Sequence, residues 1–159
     1  MRPTPPRLPR ASSRELTAIN GYPNAMSEWL DLDNLLERDA DNPERAFDPD
    51  CLFCKITAHE IPAEILATST NATAIRDINP QAPLHALVIP NDHYDNVAEL
   101  AAENPEVLAE LVALAEGVTD MSGDSDFRLI FNNGPGAGQS VNHVHGHVLA
   151  GKQLGWNPA

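Results

Sequence analysis

The chain predicts a single α+β domain. Three observations carry this: five short apolar runs bounded by turn residues, one longer helical pattern at 105–117, and a closing run in which histidines alternate with apolar residues. A length of 159 residues with 42% hydrophobic content supports one core and is short for two ordinary domains.

The first 49 residues read as an extension and residues 50–159 as the domain. MRPTPPRLPRASSR is rich in Pro and Arg and predicts a disordered or polyproline-like opening. Trp29, Leu32, Leu35 and Leu36 then recur at helical spacing between Ser27 as N-cap and Pro43 as stop, which predicts a short amphipathic helix. Met26 could itself start translation.

From Asp50 the elements follow closely. A short helical turn comes after Cys51 and Cys54, then strands at Ile65–Ala67 and Ala72–Arg76 around Ser69-Thr70-Asn71. Pro80-Gln81-Ala82-Pro83 leads as an extended loop into His85–Ile89, a nearly continuous apolar run suited to a buried strand. Residues 105–117 place Val107, Leu108, Leu111, Leu114 and Ala115 on one helical face, with Pro105 in the first turn and Gly117 as the stop. Phe127–Phe131 is the fourth strand, and the loop Gly134-Pro135-Gly136-Ala137-Gly138 feeds a last strand at Val141–Leu149.

Charge narrows the partners. Ten Lys and Arg face 23 Asp and Glu, a net charge of −13, which repels nucleic acid and anionic membrane. Arg2, Arg7, Arg10 and Arg14 lie in the extension, so a phosphate in the domain would have to rest mainly on imidazole, hydroxyl and backbone N–H donors. No apolar run approaches the roughly 18 residues of a transmembrane helix, and no apolar run follows the basic opening as a secretory signal would require. Two cysteines three positions apart cannot staple a fold and suggest a reducing, cytoplasmic setting.

The chemistry concentrates in Gln139-Ser140-Val141-Asn142-His143-Val144-His145-Gly146-His147-Val148-Leu149. On a strand, alternate residues share a face, so the three imidazoles would line up about 7 Å apart and two could touch one phosphate. An exposed polar face or a metal cluster are the competing readings. The glycine-rich loop before it supplies an anion-binding concavity of backbone N–H groups that needs no lysine. Cys51-x-x-Cys54 by itself is a redox pair, half of a zinc site, or two small buried hydrophobes.

This run, with the ordered motifs Cys-Leu-Phe-Cys-Lys-Ile, Glu60-Ile61-Pro62-Ala63, Asp77-Ile78-Asn79-Pro80-Gln81-Ala82-Pro83, Leu87-Val88-Ile89-Pro90 and the closing Gly155-Trp156-Asn157-Pro158, resembles the histidine-triad family over residues 51–159. The ending looks like that of its purine nucleoside phosphoramidase branch. The resemblance implies an antiparallel five-stranded sheet with one main helix and a twofold homodimer. It implies His145 as the nucleophile forming a nucleotidyl-imidazole, with His147, Ser140 and the Gly138–Gln139 region at the α-phosphate and Asn132 beside them. Asp77 matches the ribose carboxylate, Phe53, Ile56, Ile75 and Ile78 an apolar slot for the base, and His85 a histidine supporting the catalytic one. His93 and His143 would complete a Cys₂His₂ set with Cys51 and Cys54 for a structural zinc, as in several bacterial members.

The chain departs from the family pattern at Gly146, where an apolar side chain is usual, and at Ala137, Asn142, Ala150, Lys152 and Asn157. Gly146 predicts a lost packing contact. The leading functional reading is hydrolysis or transfer at the α-phosphate of a purine nucleoside phosphoramidate or adenylate. Dinucleoside polyphosphate hydrolysis and non-catalytic purine-nucleotide binding are the alternatives.

Overall fold

A computed structural model describes residues 46–156, so the predicted helix after Met26 and the departure at Asn157 lie outside the described residues. The sheet has five strands, β1 (Ile65–Thr68), β2 (Ala72–Arg76), β3 (Leu84–Pro90), β4 (Arg128–Phe131) and β5 (Gly146–Ala150). They run in the order β1-β2-β3-β5-β4, every pair antiparallel. Three helices accompany them: α1 (Leu52–Thr57), α2 (Val97–Glu103) and α3 (Pro105–Met121). Among the described residues no helix is long and apolar enough to cross a membrane.

Alternation along the strands divides the core. Ala72, Ala74, Ala86, Val88, Val148 and Ala150 face α3 and pack against Leu111, Leu114, Ala115 and Val118. The small alanines let the helix lie close to the sheet. Ile75, Leu87 and Ile89 point to the other face, where Phe53, Cys54 and Ile56 from α1 and its N-cap Cys51 cover them. Strand β3 is buried along its whole length, as its apolar run predicts.

Three boundaries differ from the sequence reading, each for a physical reason. Helix α3 continues through Gly117 to Met121, because Val118 and Thr119 are buried and repay the weak helix former. A separate helix, α2, precedes it. Asn96 caps it by accepting from the Ala98 and Glu99 amides at 3.0 Å each, and Asn104 ends it while capping α3. The last strand begins at Gly146 rather than at Val141. Its ladder with β3 ends at the Val88–Gly146 pair, since Pro90 has no N–H to continue it. The Val144 amide instead donates to the Tyr94 carbonyl at 2.8 Å.

Helix α1 ends in a hydrogen-bonded reversal: the Glu60 amide donates to the Lys55 carbonyl and the His59 amide to Ile56, at 2.8 and 3.0 Å. His59 takes the left-handed position of this motif with φ 61°, a place glycine usually fills.

Gly146 leaves no gap. A Cβ there would stand 2.8 Å from Leu129 Cδ1 and 2.9 Å from Phe131 Cε1 and Cζ. Phe131 is its direct partner across β4 and β5, so the ring covers the glycine and supplies the packing whose loss the sequence predicts. Restoring a branched side chain therefore overpacks the site. Gly146→Val should lower unfolding stability by about 1–3 kcal/mol, read as a lower denaturant midpoint at unchanged m-value. A higher midpoint would show that the space is open.

Candidate active site

The histidines gather on the sheet face opposite α3. Across β3 and β5, His85 pairs with Leu149 and Leu87 with His147, so His85 and His147 are diagonal neighbours. Their rings stand 5.3 Å apart, with His85 Nε2 3.0 Å from His147 Nδ1. The proton positions follow from the partners. The Gln81 amide donates to His85 Nδ1 at 3.0 Å, so the neutral ring carries its hydrogen on Nε2 and donates it to His147 Nδ1. His147 must then hold its own hydrogen on Nε2.

Asp77 closes this group. Its Oδ1 accepts from the Asn79 amide at 2.7 Å, and its Oδ2 lies 3.4 Å from His85 Nε2 and 3.9 Å from His147 Nδ1. Burial is the main influence holding His85 below the ordinary histidine pKa, against the opposing pull of Asp77. Burial also lowers His147, helped by His145 and His85 and again opposed by Asp77. Both rings are therefore neutral near pH 7. The ligand atoms of Asp77, His85 and His147 lie within 4.8 Å of one another, but the hydrogen on His85 Nε2 bars that nitrogen from a metal.

His145 has the opposite tautomer from His147. Its Nδ1 donates to the His143 carbonyl at 2.8 Å, which leaves the Nε2 lone pair bare. Its ring is buried, 5.2 Å from His147 and 5.0 Å from Phe53. Two adjacent imidazoles thus present one acceptor and one donor. A neutral imidazole with a bare nitrogen is a competent nucleophile near neutral pH.

His143 turns away from these two. Because the chain at 143 precedes β5, its fully buried ring joins Cys51, Cys54 and His93. His143 Nδ1 lies 3.4 Å from Cys51 Sγ and 3.5 Å from Cys54 Sγ, and His93 Nδ1 lies 3.4 Å from Cys54 Sγ. Tetrahedral zinc bonds imply sulfur–nitrogen edges of about 3.5 Å. Both Nε2 atoms donate away from the cluster, His143 to the Pro90 carbonyl at 2.9 Å and His93 to Asp95 Oδ1 at 3.1 Å. That leaves both Nδ1 lone pairs turned inward, as metal-ligating histidines require. The donor set and its spacing fit a closed zinc site, and the two cysteines form no disulfide.

The glycine-rich loop differs from its expectation. Residues Pro135–Ala137 form a 3₁₀ turn, and the amides of Ala137, Gly138 and Gln139 donate back to the carbonyls of Gly134 and Pro135. Those three N–H groups are spent on the turn and form no open concavity. Gly138 has φ 87°, and a Cβ on it would stand 3.9 Å from Asn132 Nδ2, which places Asn132 beside the turn. Ser140 is exposed, and among the described residues its hydroxyl has no internal partner.

The apolar residues divide as well. Phe53, Ile56 and Ile75 are buried together, whereas Ile78 is 91% exposed and stands apart from them. Sequence reasoning missed Asp95, whose signal is its position two residues after His93, and the Gln81 amide, which nothing in the sequence distinguishes.

Comparison with known proteins identifies the family. The family model described as the HIT domain matches residues 58–154. The purine nucleoside phosphoramidase of Escherichia coli K12 is 39% identical over 65% of this chain and 89% of its own length. A 14 kDa zinc-binding protein of Zea mays is 38% identical over 72% of this chain and 91% of its own. The crystal structure of a HIT family hydrolase from Legionella pneumophila superposes with a TM-score of 0.66 at 41% identity, covering 69% of this chain and all (100%) of that one. With its histidine run, five-stranded sheet and this similarity over most of the described residues, the chain belongs to the HIT domain family.

Proposed function

We propose that the protein is a nucleotide hydrolase or transferase that opens a purine nucleoside phosphoramidate or adenylate at the α-phosphate through a nucleotidyl-His145 intermediate. The observation that carries this reading is the pair of opposed tautomers: a bare Nε2 on His145 beside an Nε2–H on His147. His145 Nε2 bonds to phosphorus as the phosphorus–nitrogen or anhydride bond breaks, and the leaving group departs with its electron pair, an amine taking up a proton from solvent. Water then cleaves the phosphorus–imidazole bond, releasing the nucleotide and a proton and freeing the neutral ring. His147 and Ser140 hold the phosphate oxygens, with Asn132, Gly138 and Gln139 in the adjoining loop. His85 fixes the tautomer of His147. Asp77 takes the ribose hydroxyls, since an ionised carboxylate offers acceptors to a diol. Phe53, Ile56 and Ile75 form the floor of the base slot, with Ile78 at its open edge.

Zinc fits Cys51, Cys54, His93 and His143 as a structural ion, and the similarity to a zinc-binding relative supports it. The reducing cytoplasm suits a pair of free thiols. A second copy of the chain would pair across the exposed edge of the sheet, where β4 is only partly buried although it reads Arg-Leu-Ile-Phe.

The following measurements check these statements. His145→Ala should reduce turnover of an adenosine phosphoramidate by more than the ~10²–10⁴-fold of a lost general acid or base, while AMP still binds. His147→Ala should cost less. Acid quenching with radiolabelled substrate should trap label on wild type and none on the His145 variant; turnover within about tenfold of wild type would remove the covalent step. A diadenosine polyphosphate assayed alongside distinguishes the second substrate class.

Gently purified protein should hold about one zinc per chain, and stripping it should lower Tm without changing which substrates are used. Metal below about a tenth of an equivalent would refute the zinc reading. Sedimentation at micromolar concentration should show a dimer, and a monomer there would overturn the pairing.

A further inference from the structure

Gln139 lies at the end of the glycine-rich loop, is buried, and has every hydrogen-bonding group of its side-chain amide engaged with main chain. Its Oε1 accepts from the Gly134 amide at 2.8 Å. Its Nε2 donates to the Asp95 carbonyl at 2.6 Å and to the Val141 carbonyl at 2.9 Å. A primary amide has two hydrogens to donate, and both are used. Its own backbone N–H donates to the Gly134 carbonyl at 3.2 Å. No donor of this residue is left for a phosphate.

The partners show what the side chain joins. Gly134 begins the 3₁₀ turn, Val141 opens the segment that leads to His143 and His145, and Asp95 belongs to the loop that carries His93. Residues flanking these segments, with Ala98 in the first turn of α2, meet twice more. Asn133 Oδ1 accepts from the Ala98 amide at 3.1 Å, and the Val144 amide donates to Tyr94 at 2.8 Å. Gln139 is the only one of these contacts whose side chain binds both ends of the glycine turn and the 93–96 loop together.

We propose that Gln139 is a positioning residue, which clamps the glycine-rich turn and the start of the histidine run to the 93–96 loop and acts on the reaction without touching the substrate. It rests on the phosphate-site reading above only in its kinetic consequence; the clamp itself is testable without turnover. Its loss lets the turn that holds Ser140 and Asn132 drift relative to His145, which costs rate more than nucleotide affinity.

The test combines amide hydrogen exchange with binding and kinetics. In the wild-type protein the Gly134 amide should exchange at least about 100-fold slower than an unstructured glycine. Gln139→Met keeps the length of the side chain and removes all three side-chain bonds; it should speed Gly134 exchange by about tenfold or more and lower kcat by about tenfold, with the Kd for AMP within about threefold. Gln139→Glu retains the acceptor for Gly134 and loses both donors, which serves if the methionine variant does not fold. It should keep Gly134 protected and still lower kcat. An unprotected Gly134 in wild type overturns the clamp. So does an AMP affinity that falls more than about tenfold while Gly134 exchange is unchanged, because that pattern belongs to a direct phosphate ligand. If wild type turns over none of the nucleotides, the functional reading fails and the exchange measurement alone decides the clamp.

Discussion

The burial of His143 constrains everything around it. A fully buried imidazole must have both nitrogens partnered, and here one faces the Pro90 carbonyl and the other the two cysteines. That fixes the ring, and with it the carbonyl of the same residue, which takes the hydrogen of His145 Nδ1. The bare nitrogen of His145 thus belongs to a ring two residues removed from the cysteine cluster on one side. Phe53, seated between the two cysteines in sequence, touches both rings on the other.

The same rule sets the other imidazoles. His93 gives one nitrogen to Asp95, His85 accepts from a backbone amide, and His147 accepts from His85. Each ring has one nitrogen fixed by a neighbour of known polarity, so the role of the other nitrogen follows. Alternation gives His143, His145 and His147 equivalent positions, but the partners make them inequivalent: His143 turns Nδ1 to the two cysteines, His145 leaves a bare acceptor and His147 a donor. Burial keeps the His85–His147 pair neutral, which preserves the acceptor on His147 Nδ1 that takes the hydrogen of His85 Nε2. Asp77 opposes that effect without overcoming it.

The acidic surface is consistent with this economy. With a net charge of −13, the protein offers a phosphate little long-range attraction. The phosphate recognition proposed above would then rest on short-range neutral donors, and the amides of Ala137, Gly138 and Gln139 bond within the 134–139 turn instead of facing outward.

The sequence by itself determined the α+β class, the five strands and the main helix, because apolar periodicity reports burial directly. It also determined which residue types gather: the ordered motifs around Cys51, Asp77, His85 and His143 carry the family resemblance. The tertiary structure decided the rest. Whether β5 begins at Val141 or Gly146 depends on a proline in another strand, and whether Gly146 is a void depends on Phe131 across the sheet. The separation of His143 from His145 and His147, the tautomer of each ring and the engagement of Gln139 all depend on carbonyls and amides distant in sequence. Every residue carries the same backbone groups, so a sequence says nothing about which of them will stand opposite a given side chain; only the folded register brings them together.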